Sequence, residues 1–181
     1  MKRFKDLKEW LLEQKTLYFY FLLVLMAPSF FLLYTEPLSA IVRVAFILLP
    51  LSLYLIILSL TRKPGIFFWI LFPFLILGAF QLVLLYLFNE SIIASDMFLN
   101  VCTTNSGEIF ELLDKLLPSI IGVIVLYVPA LVLAVCSIRS AEALSVRFRK
   151  NTVVTGVAMF VIGLVFTAFA YHKDAEFRVY R

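Results

Sequence analysis

Long apolar runs alternate with short polar segments along almost the whole chain. Five of these runs are long enough to cross a hydrocarbon core of about 30 Å as a helix. They occupy residues 17–34, 38–60, 66–88, 118–138 and 152–171. The runs lack the alternation of barrel strands, and backbone amides in lipid need partners within their own segment. The pattern therefore predicts an all-α membrane protein with five transmembrane helices.

The composition supports this fold class. Of the 181 residues, 63% are hydrophobic and only 15% are charged, whereas a water-soluble domain carries about 25% charged residues. The remaining charges are concentrated in the polar segments between the apolar runs, so their distribution carries more information than the net charge of +4.

Basic residues are concentrated in alternate polar segments: before the first run, after the second and after the fourth. They are Lys2, Arg3, Lys5, Lys8, Lys15, Arg62, Lys63, Arg139, Arg147, Arg149 and Lys150. The positive-inside rule then predicts a cytoplasmic N-terminus, with the loop 89–117 and the C-terminal tail on the periplasmic side. Because the basic residues flank membrane spans and form no continuous basic face, they do not indicate a nucleic-acid partner.

Short interfacial helices are expected on both membrane surfaces. Residues 1–16 place Phe4, Leu7 and Trp10 on one helical face, which predicts a cytoplasmic interfacial helix, although the segment is equally typical of a simple topology signal. In the periplasmic loop, Asn105 and Glu108 have the spacing of a capping box. They predict a surface helix that runs toward Pro118, ahead of the fourth span.

Four of the five runs contain an internal proline, at Pro28, Pro50, Pro73 and Pro129. Each proline removes a backbone hydrogen bond and can kink its helix. In the fifth run, Gly156 and Gly163 lie one heptad apart, a spacing that permits close helix packing. These features predict a compact bundle of bent helices.

Two polar residues stand inside the apolar runs. Arg43 lies about one turn from the outer end of the second run, where it either snorkels to the interface or pairs with a lipid phosphate. Gln81, in the third run, is typical of a hydrogen bond between helices.

The most polar stretch of the chain contains a candidate binding site. Asn100, Thr104 and Glu108 recur at intervals of four, the spacing that places side chains on one side of a helix. A carboxylate beside neutral hydrogen-bonding groups suits a cationic amine. The alternative is that Glu108 only caps a helix while the other two residues face water.

The chain offers no constellation for catalysis. It has one histidine, His172, next to a membrane boundary, whereas a zinc site needs three or four ligands around one point. It has no glycine-rich phosphate loop and no nucleophile elbow. We therefore expect neither catalytic residues nor a metal site within these 181 residues.

The run from Phe88 to Glu108 resembles the loop after the third transmembrane helix of lipid A phosphoethanolamine transferases, the family that includes the transferable colistin-resistance enzymes. The family motif of Asn, Thr four residues later and Glu eight residues later falls on Asn100, Thr104 and Glu108. The likeness covers essentially the whole chain but is specific at this motif alone. The chain departs from the family pattern at Cys102, Thr103 and Gly107.

This resemblance implies a role for the chain as one part of a larger enzyme. Residues 17–171 would be the transmembrane domain, and residues 172–181 would begin a periplasmic linker to a zinc-dependent catalytic domain beyond Arg181. That domain would transfer phosphoethanolamine from phosphatidylethanolamine to lipid A or a related glycan, a modification of lipopolysaccharide that confers polymyxin resistance. The implied location is the bacterial inner membrane.

Within that scheme, the resemblance implies that Asn100, Thr104 and Glu108 bind the ethanolamine headgroup of the donor, with Glu108 opposite the ammonium. Zinc would belong to the catalytic domain. The competing hypothesis is a small, self-contained membrane protein that binds lipids or serves as an accessory scaffold, without catalysis.

Overall fold

The computed structural model describes residues 13–35, 38–88 and 106–173, and the regular elements in these ranges are all α-helices. Their bounds are α1 Gln14–Thr35, α2 Ala40–Ser59, α3 Pro64–Ile70, α4 Phe72–Phe88, α5 Ser106–Arg139 and α6 Val146–Lys173. Four of them, α1, α2, α5 and α6, contain segments long and apolar enough to span a membrane, and α3 with α4 is a bent pair that counts as a fifth candidate span if its two helices are one broken span. The predicted all-α, multi-pass architecture is confirmed in this part of the chain.

The third apolar run, predicted over residues 66–88, is not one straight helix but bends next to Pro73, one of the prolines expected to kink their helices. The axes of α3 and α4 differ by 64°, and Leu71 between them has φ −77° and ψ 2°. Pro73 has no N–H, and in a continuous helix its ring would collide with the carbonyl four residues earlier, at Trp69. The break at Leu71 avoids that collision and leaves the Leu71 N–H bonded to the Phe67 carbonyl at 2.9 Å.

Of the other described prolines, Pro64 opens α3, and Pro28, Pro50, Pro118 and Pro129 lie within continuous helices. In particular, α5 runs through Pro118 and Pro129 as one helix of 34 residues, about 51 Å long. The structure therefore differs from the separate surface helix predicted ahead of Pro118. A proline interrupts only one backbone hydrogen bond directly, and helices in membranes tolerate this loss where neighbouring groups satisfy the freed carbonyl.

Helix α6 packs closely along α2 at its two glycines. A Cβ atom at Gly156 would lie 2.8 Å from Ile56 Cγ1, and one at Gly163 would lie 3.0 Å from Leu49 Cδ2. Real Cβ atoms essentially never come as close as 2.8 Å, and 3.0 Å is tighter than nine in ten real Cβ contacts. The glycines therefore allow the close packing, most clearly at Gly156. The close packing that the heptad spacing of the glycines permits is present between α6 and α2.

The basic segments after the second and fourth runs meet at one end of the bundle. The Leu144 N–H bonds to the Arg62 carbonyl at 2.8 Å, and Lys63 Nζ donates to the Ile138 carbonyl at 2.7 Å. Gln14, at the start of α1, donates through Nε2 to the Ser137 carbonyl at 3.2 Å. We call this the basic end; it comprises the start of α1 and residues 60–63 and 139–150.

Much of the tightly packed core lies toward the basic end. Tyr18, Phe21, Leu58 and Phe68 are fully buried there, and the rings of Phe21 and Phe68 stack with centroids 4.6 Å apart. The Tyr18 hydroxyl donates to the Leu55 carbonyl at 2.7 Å. The basic end is thus held by both ring packing and hydrogen bonds, whereas two larger recesses lie farther along the helices.

Candidate functional site

The structure locates only part of the predicted headgroup triplet. Asn100 and Thr104 lie outside the described residues, and Glu108 is described through its backbone alone, as the third residue of α5. The apolar, membrane-length part of α5 is Leu117–Arg139, so Glu108 lies nine residues, or about 13 Å, before it along the helix axis. Since Arg139 is at the basic end, Glu108 is at the opposite end of the bundle.

A groove begins where the apolar part of α5 begins. This α1–α5 groove has a volume of about 520 Å³. Its lining comprises Tyr20 and Phe31 of α1, Leu82 of α4, and Pro118, Ser119, Gly122, Val123, Val125 and Leu126 of α5. Phe31 is 55% exposed and Val125 is 66% exposed, so the groove opens on the outer surface of the bundle.

Gly122 lies on the wall of the α1–α5 groove and faces open space. A Cβ atom built at this position meets nothing within 4 Å, unlike one at Gly156 or Gly163. The glycine therefore leaves open space at the surface of α5 and does not serve close helix packing.

A second recess, the central cavity, lies among the helices, with a volume of about 510 Å³. Its walls are mainly apolar, and its polar residues are Ser29, Tyr54, Gln81, Tyr127 and Thr167. The Thr167 hydroxyl donates to the Gly163 carbonyl at 2.9 Å, so it is engaged within its own helix. The cavity combines an apolar interior with a few hydrogen-bonding groups, as small-molecule sites do.

Sequence reasoning considered Gln81 only as a contact between helices and did not single out Tyr54 and Tyr127. The structure places all three on the central cavity. The one sequence signal for them is the presence of polar groups inside apolar runs, which does not reveal that they face a common space.

Arg43 lies in the first turn of α2, at the same end of the bundle as Glu108. Ser39 caps this helix, with the Ser39 side chain accepting from the Val42 N–H. The Arg43 side chain is exposed, as it must be both for snorkelling and for contact with a lipid phosphate. The two sequence interpretations of Arg43 both stand.

Metal-ligating residues do not cluster in the described ranges: no three His, Cys, Asp or Glu side chains there are placed to share an ion. His172 is exposed in the last turn of α6, and its ring centroid lies 6.1 Å from that of Tyr171. Nothing in this part of the chain fits a zinc ion.

The chain matches the family model described as phosphoethanolamine transferase EptA/EptB over residues 50–179. No curated protein and no solved structure matches it. The matched region runs from the middle of α2 through α6 and includes the segment with Asn100, Thr104 and Glu108. It corresponds to the N-terminal membrane domain of that family and covers well over half of the 181 residues. The chain therefore belongs to the phosphoethanolamine transferase EptA/EptB family.

Proposed function

We propose that this chain is the membrane domain of a phosphoethanolamine transferase, which anchors a periplasmic catalytic domain and holds the phosphatidylethanolamine donor for it. The acceptor is lipid A or a related glycan, and the location is the bacterial inner membrane with the N-terminus in the cytoplasm. The observation that carries the proposal is the family match over residues 50–179, because it includes the segment that bears the headgroup motif.

The arrangement of the helices supports a donor site near the catalytic domain. Helix α6 runs from Val146 at the basic end to Lys173 at the opposite end, where α5 also begins with Ser106. A domain attached after α6 would therefore face the end of the bundle that carries Glu108. The donor headgroup would be presented on the side where the transfer takes place.

The chemistry of the three motif residues suits an ethanolamine headgroup. The Glu108 carboxylate pairs with the ammonium, and the amide of Asn100 with the hydroxyl of Thr104 fixes its direction through hydrogen bonds. Zinc and the nucleophile belong to the catalytic domain in this scheme. The membrane domain binds and orients the donor.

The test compares Glu108→Gln with Glu111→Gln in the full-length protein. Loss of a charge-assisted contact costs about 1.5–3 kcal/mol, so we expect Glu108→Gln to lower phosphoethanolamine transfer to lipid A by about tenfold or more. Glu111 lies on the same helix but outside the triplet, and its substitution should leave transfer near the wild-type level. The measurement is mass spectrometry of lipid A, together with survival in polymyxin.

Expression of both variants is checked by immunoblot of the membrane fraction. Wild-type modification of lipid A by Glu108→Gln at normal expression would remove Glu108 from the donor site. An equal loss in both variants would show that the effect is one of general charge at the start of α5.

A further inference from the structure

Glu108 and one wall of the α1–α5 groove belong to the same unbroken helix, α5, with the groove nearer the basic end. Gly122 follows Glu108 by fourteen residues, which is about 21 Å along the axis of α5. One leaflet of a bilayer, headgroups included, is about 20–22 Å thick. A phospholipid whose headgroup lies at Glu108 therefore has the length needed for its chain to reach Gly122.

The lining of the groove suits a hydrocarbon chain. It consists largely of apolar side chains and contains the open space at Gly122. The section from Pro118 to Leu126 belongs to the apolar part of α5, where the surrounding medium is hydrocarbon. The groove is also open at its rim, through Phe31 and Val125, so a lipid can enter sideways from the bilayer.

We propose that the α1–α5 groove holds one acyl chain of the donor phospholipid while its headgroup is bound at Glu108. This assignment rests on the proposed function for the headgroup and adds a second point of recognition, within the membrane. A chain held in the groove would place the donor beside α5, with its phosphate toward the end of the bundle that carries Glu108. The central cavity is separate, since it shares no lining residue with the groove.

Gly122→Phe is the most direct probe of the groove. Because a Cβ at Gly122 meets nothing within 4 Å, the phenyl ring can occupy the groove without displacing a neighbouring helix. The matched control is Val157→Phe on α6, an exposed position that lines neither recess. If Gly122→Phe does not fold, Gly122→Leu supplies a smaller filling group.

The experiment reconstitutes the full-length protein in vesicles that contain phosphatidylethanolamine with a diazirine on one acyl chain. We expect photolabelling within residues 20–31 and 118–126. Gly122→Phe should lower that labelling by about tenfold, equivalent to about 1.4 kcal/mol of lost affinity, while Val157→Phe leaves it unchanged. Unchanged labelling in Gly122→Phe, labelling confined to other helices, or crosslinks between two copies across the groove would each overturn the assignment.

A second probe separates this inference from the headgroup assignment. Phosphatidylcholine with the same diazirine chain should label the groove more weakly in the wild type, and Glu108→Gln should remove the difference between the two lipids. Another outcome is that the two lipids label equally in the wild type and in Glu108→Gln, while Gly122→Phe still abolishes labelling. Glu108 would then have no headgroup role, and the groove would bind acyl chains of any phospholipid. That result would overturn the donor assignment. If Glu108→Gln removes the lipid preference while Gly122→Phe has no effect, the headgroup role stands and the groove assignment fails.

Discussion

Individual basic residues at the basic end do more than mark membrane topology. Arg149 donates through Nε to the Ser59 carbonyl at 2.8 Å and through Nη2 to the Leu60 carbonyl, at the C-terminus of α2. Lys63 reaches the Ile138 carbonyl in the last turn of α5. The last carbonyls of a helix have no partner within it, and a cation there also interacts favourably with the helix dipole. These two residues therefore stabilise helix ends in addition to the topological role predicted for them.

Replacement of Arg149 by Gln should destabilise the bundle. Hydrogen bonds to a charged group contribute about 1.5–3 kcal/mol, so we expect a loss of about 1–3 kcal/mol, seen as a lower midpoint for unfolding in detergent. Arg147 is two residues away and exposed, and substitutions at such positions usually change stability by less than about 0.5 kcal/mol. Arg147→Gln is thus the control, and equal midpoints for the two variants would contradict the capping role of Arg149.

At the scale of the elements, the contact between α2 and α6 depends on Gly156. A Cβ there would also lie 3.2 Å from the Ser52 carbonyl oxygen, so a larger side chain must push the two helices apart. Overpacking of this kind costs about 1–3 kcal/mol, and we expect Gly156→Leu to lower the unfolding midpoint accordingly. Gly122→Leu makes the same chemical change at a position with open space and should leave stability equal to or above that of wild type. A Gly156→Leu protein as stable as Gly122→Leu would show that α6 does not require this glycine.

The spans were predictable from sequence because length and hydropathy are properties of the chain alone. The behaviour of individual prolines was not, since Pro73 accompanies a 64° bend while α5 continues through Pro118, although both follow apolar residues. The outcome depends on which neighbours pack against the helix and satisfy the freed carbonyl. The bend near Pro73 was among the expected kinks. The continuous helix through Pro118 was not expected, since a separate surface helix was predicted ahead of it.

The candidate site, too, could be predicted only in part from the sequence. The spacing of Asn100, Thr104 and Glu108 can be read from the chain, and their shared role stays a prediction. The α1–α5 groove needs Phe31 and Leu126 to come together, and these residues are far apart in sequence but meet through the packing of two helices. The Ser137 hydroxyl donates to Gln14 Oε1 at 2.7 Å. This contact could not be predicted from the sequence either. Long-range contacts of this kind follow from which helix faces meet, which hydropathy does not specify.

At the scale of the whole molecule, the two ends of the bundle differ in charge. Arg62, Arg139, Arg147 and Lys150 are all exposed at the basic end, whereas α5 begins and α6 ends at the other. The positive-inside rule predicts that the basic end is cytoplasmic, which would orient every helix at once. In that orientation, the proposed donor site and the proposed attachment point of a catalytic domain would lie together on the periplasmic side.

This orientation is testable with two single cysteines in a background without Cys102 and Cys136. Tyr34→Cys lies near the end of α1 away from the basic end, at a position that is 90% exposed in the wild type, and Ala141→Cys lies in the exposed loop of the basic end. In cells with a permeabilised outer membrane, a maleimide that cannot cross the inner membrane should label Tyr34→Cys at once. Ala141→Cys should react only after the inner membrane is disrupted, because its loop is cytoplasmic in the proposed orientation. Labelling of Ala141→Cys in intact inner membranes would invert the orientation and place Glu108 on the wrong side for a periplasmic transferase.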